Sequence, residues 1–157
     1  MPTLKNIKDL EKSIDVYLKF SINKISSLVK QKIEEFIKLY YEEYSPEYYM
    51  RTWTFLNSVC KTEAIKKGRV WEAVVYIDTS IIYNSTAYYQ DGTPYKKQRW
   101  SVKGTAALAE KGLHGNIHVA NELHFWSDAV RDIINRKMIA QEFANFLKKN
   151  SINVKIV

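Results

Sequence analysis

Cysteine is almost missing from this 157-residue chain, in which Cys60 stands alone. A single thiol excludes an intramolecular disulfide framework and suits a reducing compartment such as a bacterial cytoplasm better than secretion. Its ordinary role is that of a small, half-buried apolar residue. Long apolar runs are missing too, and the N-terminus Met-Pro-Thr-Leu-Lys leads straight into alternating charge. The expectation is a soluble chain with no bilayer-spanning helix and no secretory signal. There is no internal repeat and no low-complexity segment. Nor is there a phosphate-binding glycine loop: Gly112-Leu113-His114-Gly115 lacks both the strand before it and the Lys-Ser/Thr after it. No serine sits in a nucleophile elbow, and Cys60 has no histidine near it in sequence, so a Cys-His enzyme has nothing positive in its favour.

What is present suits one domain, residues 1–157, large enough to bury a core without disulfides or a metal. The net charge of +7 raises a nucleic-acid hypothesis, yet the excess is spread along the chain: residues 80–124, for instance, hold five bases against three acids. No segment shows a dense Lys/Arg stripe of the kind that neutralises phosphates.

The organising stretch is residues 22–44. Ile22, Ile25, Val29, Ile33, Phe36, Ile37, Tyr40 and Tyr44 recur at steps of three and four with no Gly or Pro between them. That spacing predicts one apolar and one charged helix face. Ser45-Pro46 ends the helix, since the proline ring disfavours helical geometry at Ser45 and offers no backbone donor. Ile7, Leu10, Ile14, Tyr17 and Leu18 begin the same spacing earlier, so the first 44 residues form either one very long helix or two in sequence; two are favoured, the long one over residues 14–44, with a bend near Ser21, where β-branched and aromatic residues weaken helix. Residues 57–79 read as a β-hairpin around Lys66-Lys67-Gly68, with Gly68 supplying the positive φ of the turn. Trp71, Ala73, Val75 and Ile77 share the face expected to receive the helix. Residues 80–124 lose periodicity and are expected to form a long loop region, with a strand around Ile81-Ile82-Tyr83 and one short helix over residues 105–111. C-terminal helices follow over 127–149, capped by Ser127 and broken near Asn135-Arg136, with a short final strand over 152–156. The fold class is α+β: a long amphipathic helix on a small antiparallel sheet, a long middle loop, a C-terminal helix pair and a final strand.

Four residues come nearest to a metal cluster: His114, His118, Glu122 and His124. His-x3-His on a helix would place two imidazoles one turn apart. Gly112 and Gly115 argue against a helix there, and solvated loop histidines are the better reading, so no metal or other cofactor is expected. Glu34-Glu35 and Glu42-Glu43 sit on the wet helix face, where neighbouring side chains diverge by about 100°; they serve solvation. The chain is rich in aromatics, with eleven Tyr and four Trp. Tyr88, Tyr89, Tyr95 and Trp100, interleaved with Lys96, Lys97 and Arg99, have the composition of a protein interface. The same interleaving suits single-stranded nucleic acid, and a tyrosine-rich sheet face is the structural alternative.

Residues 44–59, Tyr-Ser-Pro-Glu-Tyr-Tyr-Met-Arg-Thr-Trp-Thr-Phe-Leu-Asn-Ser-Val, resemble the junction in the small tail-completion or head-to-tail joining (neck) proteins of long-tailed bacteriophages. In that family a long amphipathic helix ends at a proline, and Arg-Thr, then Leu, then Ser lead into an antiparallel hairpin; Pro46, Arg51, Thr52, Leu56 and Ser58 match that form. The glycine-rich middle and Phe125-Trp126-Ser127 leading into a helix continue the likeness from about residue 14 to residue 147. Trp53 stands where the family often has glycine. The resemblance implies a non-enzymatic virion protein of the neck or tail end. It would assemble as a homo-oligomeric ring, expected to be hexameric, in the particle and be made in the host bacterial cytoplasm. Its partners would be neck, tail-tube or tail-terminator proteins, with non-specific proximity to DNA and no membrane. A basic nucleic-acid-binding module, or a small enzyme or toxin using His114, His118, Glu122 or Cys60, remain the alternatives.

Overall fold

The computed structural model describes residues 7–42, 52–89, 91–114, 117–118 and 124–149. Ile7–Glu42 is a single 36-residue helix, α1, about 54 Å long at 1.5 Å per residue. The two helices and the bend expected near Ser21 are not found. Ser and β-branched residues cost only a few tenths of a kcal/mol each in a helix, and the packing of this one overrides that preference. The serine hydroxyls bond back along the helix, Ser13 to the Asp9 carbonyl at 2.9 Å and Ser26 and Ser27 to that of Asn23 at 2.9 and 3.0 Å. Ile33, Ile37, Tyr40 and Tyr41 are buried, with Val29 and Phe36 beside them, so the apolar stripe is where the spacing places it. The stop at Pro46 lies outside the described residues.

The first hairpin, the single turn before it and the two C-terminal helices pack along this rod. A single turn, α2 (Thr54–Asn57), drives Phe55 into the centre, where it is fully buried. Its ring meets Tyr40 and Phe125 edge-on, with centroids 6.4 and 5.1 Å away. Strands β1 (Val59–Lys61), β2 (Ile65–Lys67), β3 (Val70–Glu72) and β4 (Val75–Ile77) then form one hairpin in two steps. The outer rungs pair Val59 with Ile77 and the inner ones pair Lys67 with Val70. Gly68 turns the chain at φ 63°, as its position requires. Lys66 and Lys67, read as part of the turn, lie in strand β2. Val75 and Ile77 pack on the core, and the Trp71 indole N–H donates to Asp15 of α1 at 3.1 Å, so the expected face does meet the helix. Asn23 accepts from the Ala64 backbone N–H at 2.6 Å and ties the hairpin to α1 a second time.

The long loop expected over residues 80–124 is corrected by the structure. Ile82–Tyr88 (β5) and Pro94–Ser101 (β6) form the longest ladder among the described residues, followed without a loop by helix α3, Val102–Ala109. Periodicity failed here because this hairpin has polar residues on both faces, whereas α3 has its buried Val102 and Ala109 at its two ends. Ser101 accepts from the Gly104 N–H at 3.1 Å and caps α3. A short pair, β7 (Leu113–His114) and β8 (Ile117–His118), follows, and the Leu113 carbonyl accepts from the buried Tyr40 hydroxyl at 2.8 Å.

Helices α4 (Phe125–Asn135) and α5 (Met138–Lys149) close the described chain, separated at Lys137, whose φ is 48°, as the break near Asn135-Arg136 foretold. Ser127 is not the cap; the helix starts two residues earlier, with His124 in the cap position. The strand expected over 152–156 lies outside the described residues. Phe125, Ala129 and Ile133 face α1, and Lys32 of α1 reaches Asp132 of α4 at 2.9 Å. Lys32 foremost, then Arg136, holds the Asp132 carboxyl below its ordinary range.

This packing yields two expectations. Ser21 is buried and its hydroxyl has no partner among the described residues, so Ser21→Ala should stabilise the fold by about 1 kcal/mol, read as a higher denaturant midpoint; a lower midpoint would show that the hydroxyl is bonded. Asp15 and Asp132 both have lowered carboxyl pKa values in the folded state, Asp15 through hydrogen bonds from Lys66 and then Trp71. Their stabilisation is complete above the ordinary carboxylate pKa, about 3.9, and is lost as pH falls below it. Thermal melts from pH 6 to pH 2.5 should therefore show a shallower acid loss in Asp132→Asn than in the wild type.

Candidate interaction surface

The β5–β6 hairpin is an arm held at one end. At its base Val102 donates its N–H to the Ile81 carbonyl at 3.0 Å, and the Tyr83 hydroxyl bonds Thr105 at 2.8 Å. Ile81 and Tyr83 pack against the core. At its tip Asp91 accepts from the Thr93 hydroxyl and N–H at 2.6 and 2.9 Å, which together lower its carboxyl pKa, and Gly92 takes φ 81°. Among the described residues neither outer edge of the arm is paired with another strand. Two strands alone are marginal in water, so the anchored base stabilises the arm.

The register divides the residues singled out in the sequence. Tyr83 pairs with Trp100, Asn84 with Arg99, Ser85 with Gln98, Thr86 with Lys97 and Ala87 with Lys96. Side chains alternate, so Trp100 and Lys96 share the Tyr83 face while Lys97 and Arg99 share the opposite face with Asn84 and Thr86. The pairing shifts between Ala87 and Tyr88, which then stands opposite Pro94. Tyr89, beyond the ladder, is 57% exposed, Tyr88 is half-buried, and Trp100 is 37% exposed. The side chain of Tyr95 lies outside the described residues.

The junction residues are structural. Ser58 is fully buried and donates to the Phe55 carbonyl at 2.6 Å, and Leu56 packs on the core. Thr52 is exposed and its hydroxyl bonds that of Thr54 at 3.0 Å. Trp53 takes φ 60°, a left-handed conformation that glycine adopts at no steric cost, and its ring packs edge-on to Tyr41 at 5.1 Å. Pro46 and Arg51 lie outside the described residues.

A family profile described as YomN matches residues 6–149. The chain belongs to the YomN family. It is thus a phage-related protein. No curated protein and no solved structure matches the chain.

In this YomN-family chain the histidine spacing does not lie on a helix. His114 and His118 sit on opposite strands of an antiparallel pair, opposite Ile117 and Leu113. Glu122 lies outside the described residues, among which no group of three potential metal ligands is gathered. His124 has a different role: its Nδ1 lies 2.6 Å from the Glu110 carbonyl oxygen. Cys60 is a free, half-buried thiol on β1, opposite Tyr76.

Glu110 itself went unnoticed in the sequence. Its carboxylate accepts from the backbone N–H groups of Trp126 at 2.9 Å and Ser127 at 3.1 Å and from the Ser127 hydroxyl. It caps α4 from a position 16 residues earlier, so no local motif could reveal it. The cap fixes the first turn of α4, whose outer face shows Trp126, Val130 and Ile134 at steps of four, with Arg131 and Asn135 beside them. Ile134 is 67% exposed, which makes this stripe a second surface suited to a protein neighbour. Glu110→Ala should cost about 1 to 2 kcal/mol, as for loss of a helix cap. Glu110→Gln should cost less, since its amide oxygen still accepts; equal midpoints for the wild type and Glu110→Ala in urea would show that the cap contributes nothing.

Proposed function

We propose that this protein is a non-enzymatic structural or assembly component of a phage particle, placed at the head-tail junction or the tail end. The observation that supports it most is the β5–β6 arm: two strands anchored at the base, both edges unpaired by any described strand, with Tyr89 and Trp100 exposed. Open edges and exposed aromatic rings are features that a neighbouring subunit covers. In this reading copies of the chain form a ring, hexameric in the particle, through repeated head-to-tail contacts that close on themselves. The Trp126, Val130 and Ile134 stripe of α4 docks an adjoining neck, tail-tube or tail-terminator protein. The left-handed Trp53 adds support, because the neck proteins that this junction resembles often carry glycine there.

Mass spectrometry of purified particles after prophage induction tests the placement. A few copies of this chain beside hundreds of capsid or tail subunits are expected, and absence from intact particles would overturn the reading. Tyr89→Ala with Trp100→Ala should leave the monomer folded by circular dichroism and reduce the yield of complete particles at least tenfold.

A further inference from the structure

Some of the described cations are paired with a carboxylate and others, Lys12, Lys38, Arg69 and Lys103 among them, are not. Along α1, the first hairpin and α4, Lys24, Lys30, Lys32, Lys61, Lys66, Lys67, Arg131 and Arg136 each lie against a carboxylate. On the arm Lys96, Lys97 and Arg99 are exposed, and none of them has a carboxylate partner among the described residues. The arm's acid, Asp91, is at the tip and held by Thr93. Three uncompensated cations within four residues are the local stripe that averaging over residues 80–124 concealed.

We propose that the outer face of the arm, Asn84, Thr86, Lys97 and Arg99, is a contact surface for the phosphate backbone of double-stranded DNA. Charge complementarity supplies the attraction: the face offers two unpaired cations and two uncharged hydrogen-bonding side chains, and no carboxylate opposes a phosphate there. Shape agrees, since a two-stranded antiparallel ribbon of this width is one of the elements that a major groove admits. Lys97 and Arg99 stand two residues apart on one strand, about 7 Å, so both reach one face of a duplex together. Single-stranded nucleic acid fits less well. Binding it combines cations with rings on which bases stack, but the pleat puts Trp100 and Tyr83 on the face opposite Lys97 and Arg99. An acidic protein would meet the same cations but makes no use of the ribbon shape.

Fluorescence anisotropy of the full chain with a labelled mixed-sequence duplex of about 30 base pairs, across a series of salt concentrations, tests the inference. The double variant Lys97→Gln, Arg99→Gln should lower the slope of log affinity against log salt by about two, one for each phosphate that is no longer neutralised. The double variant Lys148→Gln, Lys149→Gln removes the same charge from the last turn of α5 and should leave the slope within about half a unit of the wild type. Both pairs are exposed, so unchanged circular dichroism is expected for each. An unchanged slope in the arm variant, an equal fall in both variants, or no duplex binding by the wild type would overturn the proposal. So would tighter binding of the equivalent single strand or of polyglutamate. The inference stands on the arm alone: presence of the chain in particles together with an unchanged slope would leave the virion reading and remove this one.

Discussion

Phe55 is the point at which the fold meets. Burying a ring of that size contributes roughly 1.5 to 3 kcal/mol, but its position matters more than its area. Tyr40 and Tyr41 of α1 and Phe125 of α4 all stand edge-on to it, and the chain leaves it directly through the buried Ser58 into the first hairpin. A helix of 36 residues cannot hold its apolar stripe in water unaided. Phe55 therefore joins the rod, the hairpin and the C-terminal helices into one core.

From that centre, polar ties lock the first hairpin and α4 to α1 at separate heights. Asn23 holds the loop at Ala64, Asp15 holds Trp71 and Lys66, and Lys32 holds Asp132. The ties fix the register of the first hairpin and α4 against α1. The second half depends on a longer link: Glu110, at the end of α3, caps α4, and β5–β6 enters α3 with no intervening loop. The core thus fixes the base of the arm. An element anchored this way is free to present its charge outward.

How much of this was legible depended on how local the cause was. The stripe of α1, the turn at Gly68 and the break before Met138 each have a cause within a few residues, and each stands where the spacing put it. The spacing of α1 allows one long helix or two; propensity weakens helix near Ser21, and burial against distant residues decides for one. The β5–β6 ladder was hidden because polar side chains on both faces erase the alternation that marks a strand. The proposed interface residues were named from composition, which cannot divide Trp100 from Lys97 and Arg99; the pleat does.

The sequence by itself determined the α+β class, the long amphipathic helix with its buried face and the first hairpin, since hydrophobic periodicity and a glycine turn are properties of neighbours in the chain. It also marked the stretch from Tyr83 to Trp100 as unlike the rest. Only tertiary structure decided that this stretch is an arm, that three closely spaced cations on it have no carboxylate partner among the described residues, and that α4 begins where Glu110 meets it. Those outcomes rest on contacts between residues far apart in sequence, and burial, charge pairing and helix capping across such distances exist only once the chain has folded.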